Sequence, residues 1–168
     1  MCCSMAERDP LFTAAVVTVS DSCARGERED QSGPAVAGVL DKLGFLIAAR
    51  EVVSDDSIQI QNLLIRLARE VRLIVTTGGT GIAPRDVTPE ATRAVCEKLL
   101  DGVAEKMRSE GTKKTPLAAL SRGVCGVRGR ALILNLPGSP AGAVESLEIV
   151  AGLIPHAIEL LSGKTEHR

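Results

Sequence analysis

The sequence predicts an α/β fold in three layers, a mostly parallel central sheet with helices on both faces. Two kinds of segment predict it. Short, continuous, β-branched apolar runs, such as residues 14–19 and 73–76, read as strands buried on both sides. Between them lie stretches with apolar residues at helical spacing. Their alternation is the third observation, and it calls for right-handed crossovers between parallel strands.

The first strand, residues 14–19, stops at Ser20-Asp21-Ser22, and a polar loop over residues 23–32 follows, carrying Arg25, Glu27, Arg28, Glu29 and Asp30. A helix opens at Gly33-Pro34, with Val36, Val39, Leu40 and Leu43 on one side and Gly44 at its stop. Residues 45–53 read as the second strand. Ser54-Asp55-Asp56-Ser57 is a helix-start cluster, and Ile60, Leu63, Leu64, Leu67 and Ala68 form that helix's apolar face. The third strand, residues 73–76, runs into Thr77-Gly78-Gly79-Thr80-Gly81. Thr88 reads as an N-cap with Pro89 at the first helical position, and Ala91, Ala94, Val95 and Leu99 line the buried side. Residues 102–114 read as a short helix and a loop, and residues 116–120 as a turn. Strands at 124–127 and 131–136 are joined by Arg128-Gly129-Arg130. After Pro137-Gly138-Ser139-Pro140 comes a helix with Val144, Leu147 and Ala151 on one side, then a last helix with Ile154, Ala157, Ile158 and Leu161. His156 reads as packed rather than catalytic. One domain over residues 13–163 is expected, with flexible ends at 1–12 and 164–168.

Composition narrows the function classes. A length of 168 residues allows one sizeable core, and 45% hydrophobic content is ordinary for a globular protein. With Phe12 and Phe45 the only aromatic residues and a net charge of -1, neither stacking platforms nor a field for nucleic acid is present. No apolar run reaches membrane-spanning length, and residues 1–10 lack the apolar core of a signal peptide. Cys2, Cys3, Cys23, Cys96 and Cys125 form no C-x-x-C pair, and with two histidines a zinc site has no support. The odd cysteine count suits reduced thiols in the cytoplasm.

The chemistry-bearing residues gather at strand ends. Gly78, Gly79, Thr80 and Gly81 are either an anion cradle or a tight turn needing positive φ. The loop is neither a Walker A motif, which needs Gly-Lys-Ser/Thr, nor a Rossmann fingerprint, and no G-x-S-x-G elbow occurs. Asp86 is a candidate to hold Mg²⁺ or orient an attacking group, or else a turn residue paired with Arg85. Asp55 either caps the following helix or faces the cradle from the shared strand-end rim, where two carboxylates beside phosphates call for a divalent cation. Asn135-Leu136-Pro137-Gly138-Ser139-Pro140 is a strand-to-helix turn that leaves N–H groups free. Ser121-Arg122, with Lys113 and Lys114, is a candidate source of positive charge for phosphates, and Ser20-Asp21 ends the first strand on the same rim.

Taken in order, Thr18-Val19-Ser20-Asp21, Asp30-Gln31-Ser32-Gly33-Pro34, Val53-Ser54-Asp55-Asp56, Thr77-Gly78-Gly79-Thr80-Gly81, Pro84-Arg85-Asp86-Val87-Thr88-Pro89-Glu90, Leu120-Ser121-Arg122 and Asn135-Leu136-Pro137-Gly138-Ser139-Pro140 resemble the molybdopterin adenylyltransferase family of the Mog/MoaB type. The resemblance runs from about residue 14 to 163. It implies AMP transfer from Mg²⁺-ATP to the terminal phosphate of molybdopterin, with pyrophosphate released and the product passed to a molybdenum insertase. It also implies a homotrimer, with hexamers in the MoaB branch. On this resemblance Asp86 matches the acid of the P-R-D motif. Asp55 matches the acid of a P-D-E motif in which Ser54 and Asp56 here replace the proline and glutamate. Both are candidate metal positions. Gly78 to Gly81, with Asn135, Pro137, Gly138 and Ser139, match the nucleotide and phosphate loops, and Ser20, Asp21, Lys113, Ser121 and Arg122 are candidate pterin contacts. A MoaB-type protein that binds pterin with little or no catalysis, and a nucleotide hydrolase of unrelated purpose, are the other readings.

Overall fold

Apolar β-branched runs build the middle of the sheet. In the computed structural model, which describes residues 11–164, β1 (Thr13–Val19) lies between β2 (Leu46–Val53) and β3 (Leu73–Thr77), and β6 (Ala131–Leu136) follows β3. These four strands are parallel. β5 (Cys125–Arg128) and β4 (Lys98–Leu99) extend the sheet antiparallel, giving the order β2-β1-β3-β6-β5-β4. The expectations for residues 1–10 and 165–168 lie outside the described residues. Phe12, at the edge of the segment expected to be flexible, packs edge-on against Phe45 with ring centroids 5.6 Å apart.

The mostly parallel sheet is observed, and its antiparallel arm has a local cause. Only Gly129-Arg130 separates β5 from β6, and so short a link joins only antiparallel neighbours. Gly129 takes φ 56° to make the turn.

Alternation along each strand divides the core. Ala14, Val16, Leu73, Val75, Leu132 and Leu134 face one side, covered by α2 (Ser32–Lys42), α5 (Asp101–Thr112), α6 (Pro140–Val150) and α7 (Ile154–Leu161). Ala15, Val17, Ile74 and Ile133 face the other, under α3 (Ser57–Glu70) and α4 (Thr88–Val95). Among the described residues no helix is long and apolar enough to cross a membrane.

Several local expectations are corrected. Residues 21–24 form a short helix, α1 (Asp21–Ala24), capped by Ser20. Residues 101–112 form one continuous helix, where a short helix and loop were expected. Leu99 lies on β4 and is exposed; Ala94 is exposed too, so α4 buries Thr88, Ala91, Thr92 and Val95. In α6 the buried residues are Ala143, Leu147 and Val150, with Val144 only half-buried, and His156 is exposed on α7. Val87, not Thr88, holds the N-cap position of α4.

Asn135, expected at the phosphate-facing rim, is 1% exposed and braces the interior. Its Nδ2 donates to the hydroxyls of Thr76 and Thr92, both at 3.0 Å, and its Oδ1 accepts the Val124 N–H at 3.2 Å. The apolar periodicity of β6 carries it inward, between two threonines that satisfy its amide. Asn135→Ala is expected to cost about 2–4 kcal/mol of stability, because it strands several buried polar groups at once; urea unfolding measures it.

The strand order reverses between β1 and β3, and ligands of open α/β sheets bind beyond the carboxyl ends at such a point. Here that rim gathers Ser20-Asp21 after β1, Ser54-Asp55 after β2, Gly78-Gly79 after β3 and Pro137-Gly138 after β6.

Candidate active site

β3 ends in a turn that only glycine makes easily. Gly78 and Gly79 have φ of 90° and 66°. A Cβ on Gly78 would run into the Val19 carbonyl oxygen, and one on Gly79 into the Thr88 hydroxyl. Thr88 ties the turn down: its Oγ1 donates to Gly78 O at 2.9 Å and its N–H to Gly79 O at 3.1 Å. The Gly78 N–H is held by Leu136 O at 3.1 Å. The N–H groups of Gly79, Thr80 and Gly81 meet no acceptor among the described residues. The turn requirement thus accounts for Gly78 and Gly79, and three free donors remain for an anion. Gly79→Ala is expected to lose about 1–3 kcal/mol to backbone strain and to distort the cradle. Thermal unfolding and ligand titration check both effects.

Two carboxylates approach this loop from different elements. Asp56, not Asp55, caps α3, accepting the Gln59 N–H at 2.9 Å. Asp55 is therefore free of the capping role, and its Oδ1 lies 3.2 Å from where a Cβ of Gly79 would stand. Asp86 Oδ2 lies 2.8 Å from the corresponding point on Gly81 and accepts the Ala83 N–H at 2.9 Å. Both acids border the same four-residue loop.

Asp21 fixes Asp55 in place. The Asp21 N–H donates to Asp55 Oδ2 at 2.9 Å, and the Asp55 N–H donates to Asp21 Oδ1 at 3.0 Å. Arg85 closes on the other Asp21 oxygen through Nε at 2.9 Å and Nη2 at 2.6 Å. Arg85 thus pairs with Asp21, not with Asp86 as local sequence suggested. Its guanidinium holds the Asp21 carboxyl below the usual range. Burial pushes the Asp55 carboxyl up; the negative charges of Asp21 and Asp86 add to this, while the Asp21 N–H and Arg85 oppose it.

The glycine loop runs between two cavities that share Gly138 and Ser139. A polar one, about 360 Å³, is lined by Ser20, Cys23, Asp30, Ser32, Thr77 and Gly78 among others. The second, about 350 Å³, is bounded by Thr80, Gly81, Lys114, Leu117, Ser121 and Pro137, with Ile149 at its wall. Asp55 and Asp86 line neither; they stand at the rim beside the loop. Gly138 packs onto Gly78, with 3.3 Å between its would-be Cβ and the Gly78 Cα. Ser139 caps α6 by accepting the Gly142 N–H at 3.2 Å.

Of the expected pterin contacts, Ser20 and Ser121 each line a cavity. Lys113 instead pairs with Glu110 at 2.8 Å, and the neighbouring Lys114 lines the second cavity. Both carboxylate oxygens of Asp21 are engaged as described, and Arg122 is engaged by protein carbonyls.

Asp30, outside the residues expected at the site, accepts the Thr18 hydroxyl at 2.7 Å and the Gly33 N–H at 2.9 Å and lines the polar cavity. Its only local signal is an acid just before Ser32-Gly33-Pro34. Among the described residues no group of three or more His, Cys, Asp or Glu side chains is arranged to hold a metal ion by itself. Two rim carboxylates do fit Mg²⁺ brought with phosphates, since that ion is commonly held by one or two carboxylates plus substrate oxygens.

Comparison with known proteins adds to this geometry. A family model described as a probable molybdopterin binding domain matches residues 15–156. The chain is 44% identical over 152 residues to a molybdopterin adenylyltransferase of Helicobacter pylori, covering 88% of this chain and 86% of that one. It is 41% identical over 153 residues to the molybdenum cofactor synthesis protein cinnamon of Drosophila melanogaster, matching 89% of this chain and 26% of that longer protein. Among solved structures, the molybdopterin biosynthesis enzyme MoaB of Thermus thermophilus superposes with a TM-score of 0.86 at 53% identity, over 91% of this chain and 98% of that one.

Proposed function

The chain belongs to the probable molybdopterin binding domain family, and on that premise we propose that it is a molybdopterin adenylyltransferase of molybdenum cofactor biosynthesis. The observation that carries this reading is that Asp55 stands against Gly79 and Asp86 against Gly81 of one loop whose Gly79, Thr80 and Gly81 amides are free.

The donor in this reading is ATP. An oxygen of the pterin's terminal phosphate bonds to the α-phosphorus of ATP, and the bond from that phosphorus to the bridging oxygen breaks. Pyrophosphate leaves with the bonding pair. The attacking group is already an anion, so no strong base is needed, which suits a site built without histidine. What remains is alignment and charge. In this reading the loop amides would donate to phosphate oxygens, and the two cavities on either side of the loop, which share Gly138 and Ser139, would seat the two substrates. Asp55 and Asp86 would hold Mg²⁺, which supplies positive charge to the phosphates when bound. Asp21, through its paired bonds with Asp55, keeps that carboxylate aimed at the loop.

A homotrimer, a cytoplasmic setting and delivery of the product to a molybdenum insertase complete the proposal. Exposed Leu46 and Val52 on the edge strand β2 suit a contact between copies. The thiols of Cys23, Cys96 and Cys125 suit a reducing compartment. Light scattering of the purified chain tests the trimer.

Incubation with ATP, Mg²⁺ and molybdopterin tests the reaction. Pterin-dependent pyrophosphate release is expected. Pterin binding without release would make the chain a binding module, and ATP consumption without pterin would make it a hydrolase.

A further inference from the structure

We infer that Arg122 is a positioning residue that staples the Asp86 loop to the glycine loop, acting through backbone carbonyls rather than on substrate. The inference rests on the adenylyl-transfer reading above for its kinetic consequence alone. Arg122 follows the 3₁₀ turn Pro116–Leu120 and is far in sequence from both loops. Its main-chain N–H donates to Thr80 O at 2.9 Å. From the guanidinium, Nε donates to Gly81 O at 2.8 Å and Nη2 to Asp86 O at 2.8 Å, while Nη1 pairs with Glu90. One side chain therefore joins the last glycine of the cradle, the residue bearing the rim carboxylate and the first turn of α4.

The loop has few other fastenings. Ile82 is 71% exposed, and residues 83–85 are exposed as well. The Asp86 N–H and carboxylate both bond back to Ala83, inside the loop itself. The Arg85–Asp21 pair has its guanidinium side 67% exposed, and pairs so exposed contribute little. Bonds from a charged donor to carbonyls at a half-buried site are stronger. Their planar, forked geometry is also specific to arginine: a lysine ammonium on a flexible stem does not hold two carbonyls at fixed separation. Since phosphoryl chemistry here depends on alignment, a small drift of Asp86 away from Gly81 is costly, an ångström of misplacement amounting to about 100-fold in rate.

The test compares Arg122→Lys, Arg122→Gln and Glu90→Gln with wild type. Pterin-dependent pyrophosphate release gives kcat and KM, and amide hydrogen exchange reports the loop. For both Arg122 variants kcat is expected to fall about 10–100-fold, while KM for ATP and for molybdopterin stays within about threefold. The hydrogen-bonded amides of the loop, Ala83 and Asp86, and the amide of residue 122 that donates to Thr80 O exchange about tenfold faster, and those of β3 and β6 keep wild-type protection. Glu90→Gln changes rate and exchange by about threefold at most, since it removes only an ion pair. If Arg122→Gln fails to fold, Arg122→Lys carries the same readouts.

A tenfold rise in KM at unchanged kcat would make Arg122 a substrate ligand and overturn the inference. Wild-type exchange at Ala83, Asp86 and residue 122 in the Arg122 variants would overturn it too, as would a Glu90→Gln variant as impaired as Arg122→Gln. Should wild type itself show no transfer, the functional reading fails, and the exchange data alone still decide whether Arg122 holds the loop.

Discussion

Asp86→Asn abolishes AMP transfer, with an expected fall in kcat of about a thousandfold or more, while the fold and molybdopterin binding persist. The substitution is chosen for what it keeps. Asp86 Oδ2 accepts the Ala83 N–H, and the amide oxygen of asparagine can take that bond over. The Asp86 carbonyl still accepts from Arg122, so the loop keeps its anchor. What is lost is one negative charge beside Gly81, at the place where a phosphate-bound cation would be held. Neither cavity is lined by Asp86, so pterin affinity should stay within about threefold of wild type. Single-turnover kinetics and fluorescence titration with molybdopterin separate the two quantities.

Asp55→Asn is expected to be equally inactive, yet no less stable than wild type at neutral pH. Burial and the nearby Asp21 and Asp86 charges raise the folded-state pKa of Asp55 above its unfolded value. The folded chain therefore binds this proton more tightly than the unfolded chain does. Below the unfolded pKa the group is protonated in both states and costs nothing. As pH rises from there through the raised folded pKa, ionisation penalises the folded state, and the penalty is complete above that pKa. Asparagine removes it while keeping an oxygen for the Asp21 N–H. Thermal melts should show the variant's advantage at neutral pH and its disappearance in acid. In the wild type, the acid limb of kcat/KM should lie above the ordinary aspartate range, because the free enzyme must ionise a carboxyl whose pKa burial and the neighbouring charges raise.

The layout of the sheet could be read from the chain because its inner strands are unbroken apolar runs, such as residues 14–19, that suit burial on both faces. The glycine loop was legible too, since Gly78 and Gly79 occupy backbone conformations other residues avoid. What local patterns could not decide was which of two neighbouring aspartates caps α3. Asp55 and Asp56 offer the same chemistry, and only the register of the first helical turn gives the cap to Asp56 and releases Asp55. Asn135 was misplaced for a related reason: a polar residue beside Leu136-Pro137 looks like a rim group until the pleat turns it toward Thr76 and Thr92. Arg122 and Asp21 act through partners 41 and 34 positions away. Pairings that long leave no trace in spacing. β4, with two residues, is shorter than any periodicity can register.

ATP labelled at its α-phosphate and followed through a single turnover shows whether Asp55, Asp86 and the free loop amides together move an adenylyl group onto molybdopterin. The label should pass into adenylylated molybdopterin in step with pyrophosphate release, and both should vanish in Asp86→Asn. Label recovered as free AMP or ADP with the pterin unmodified, or full transfer by Asp86→Asn, would contradict that mechanism.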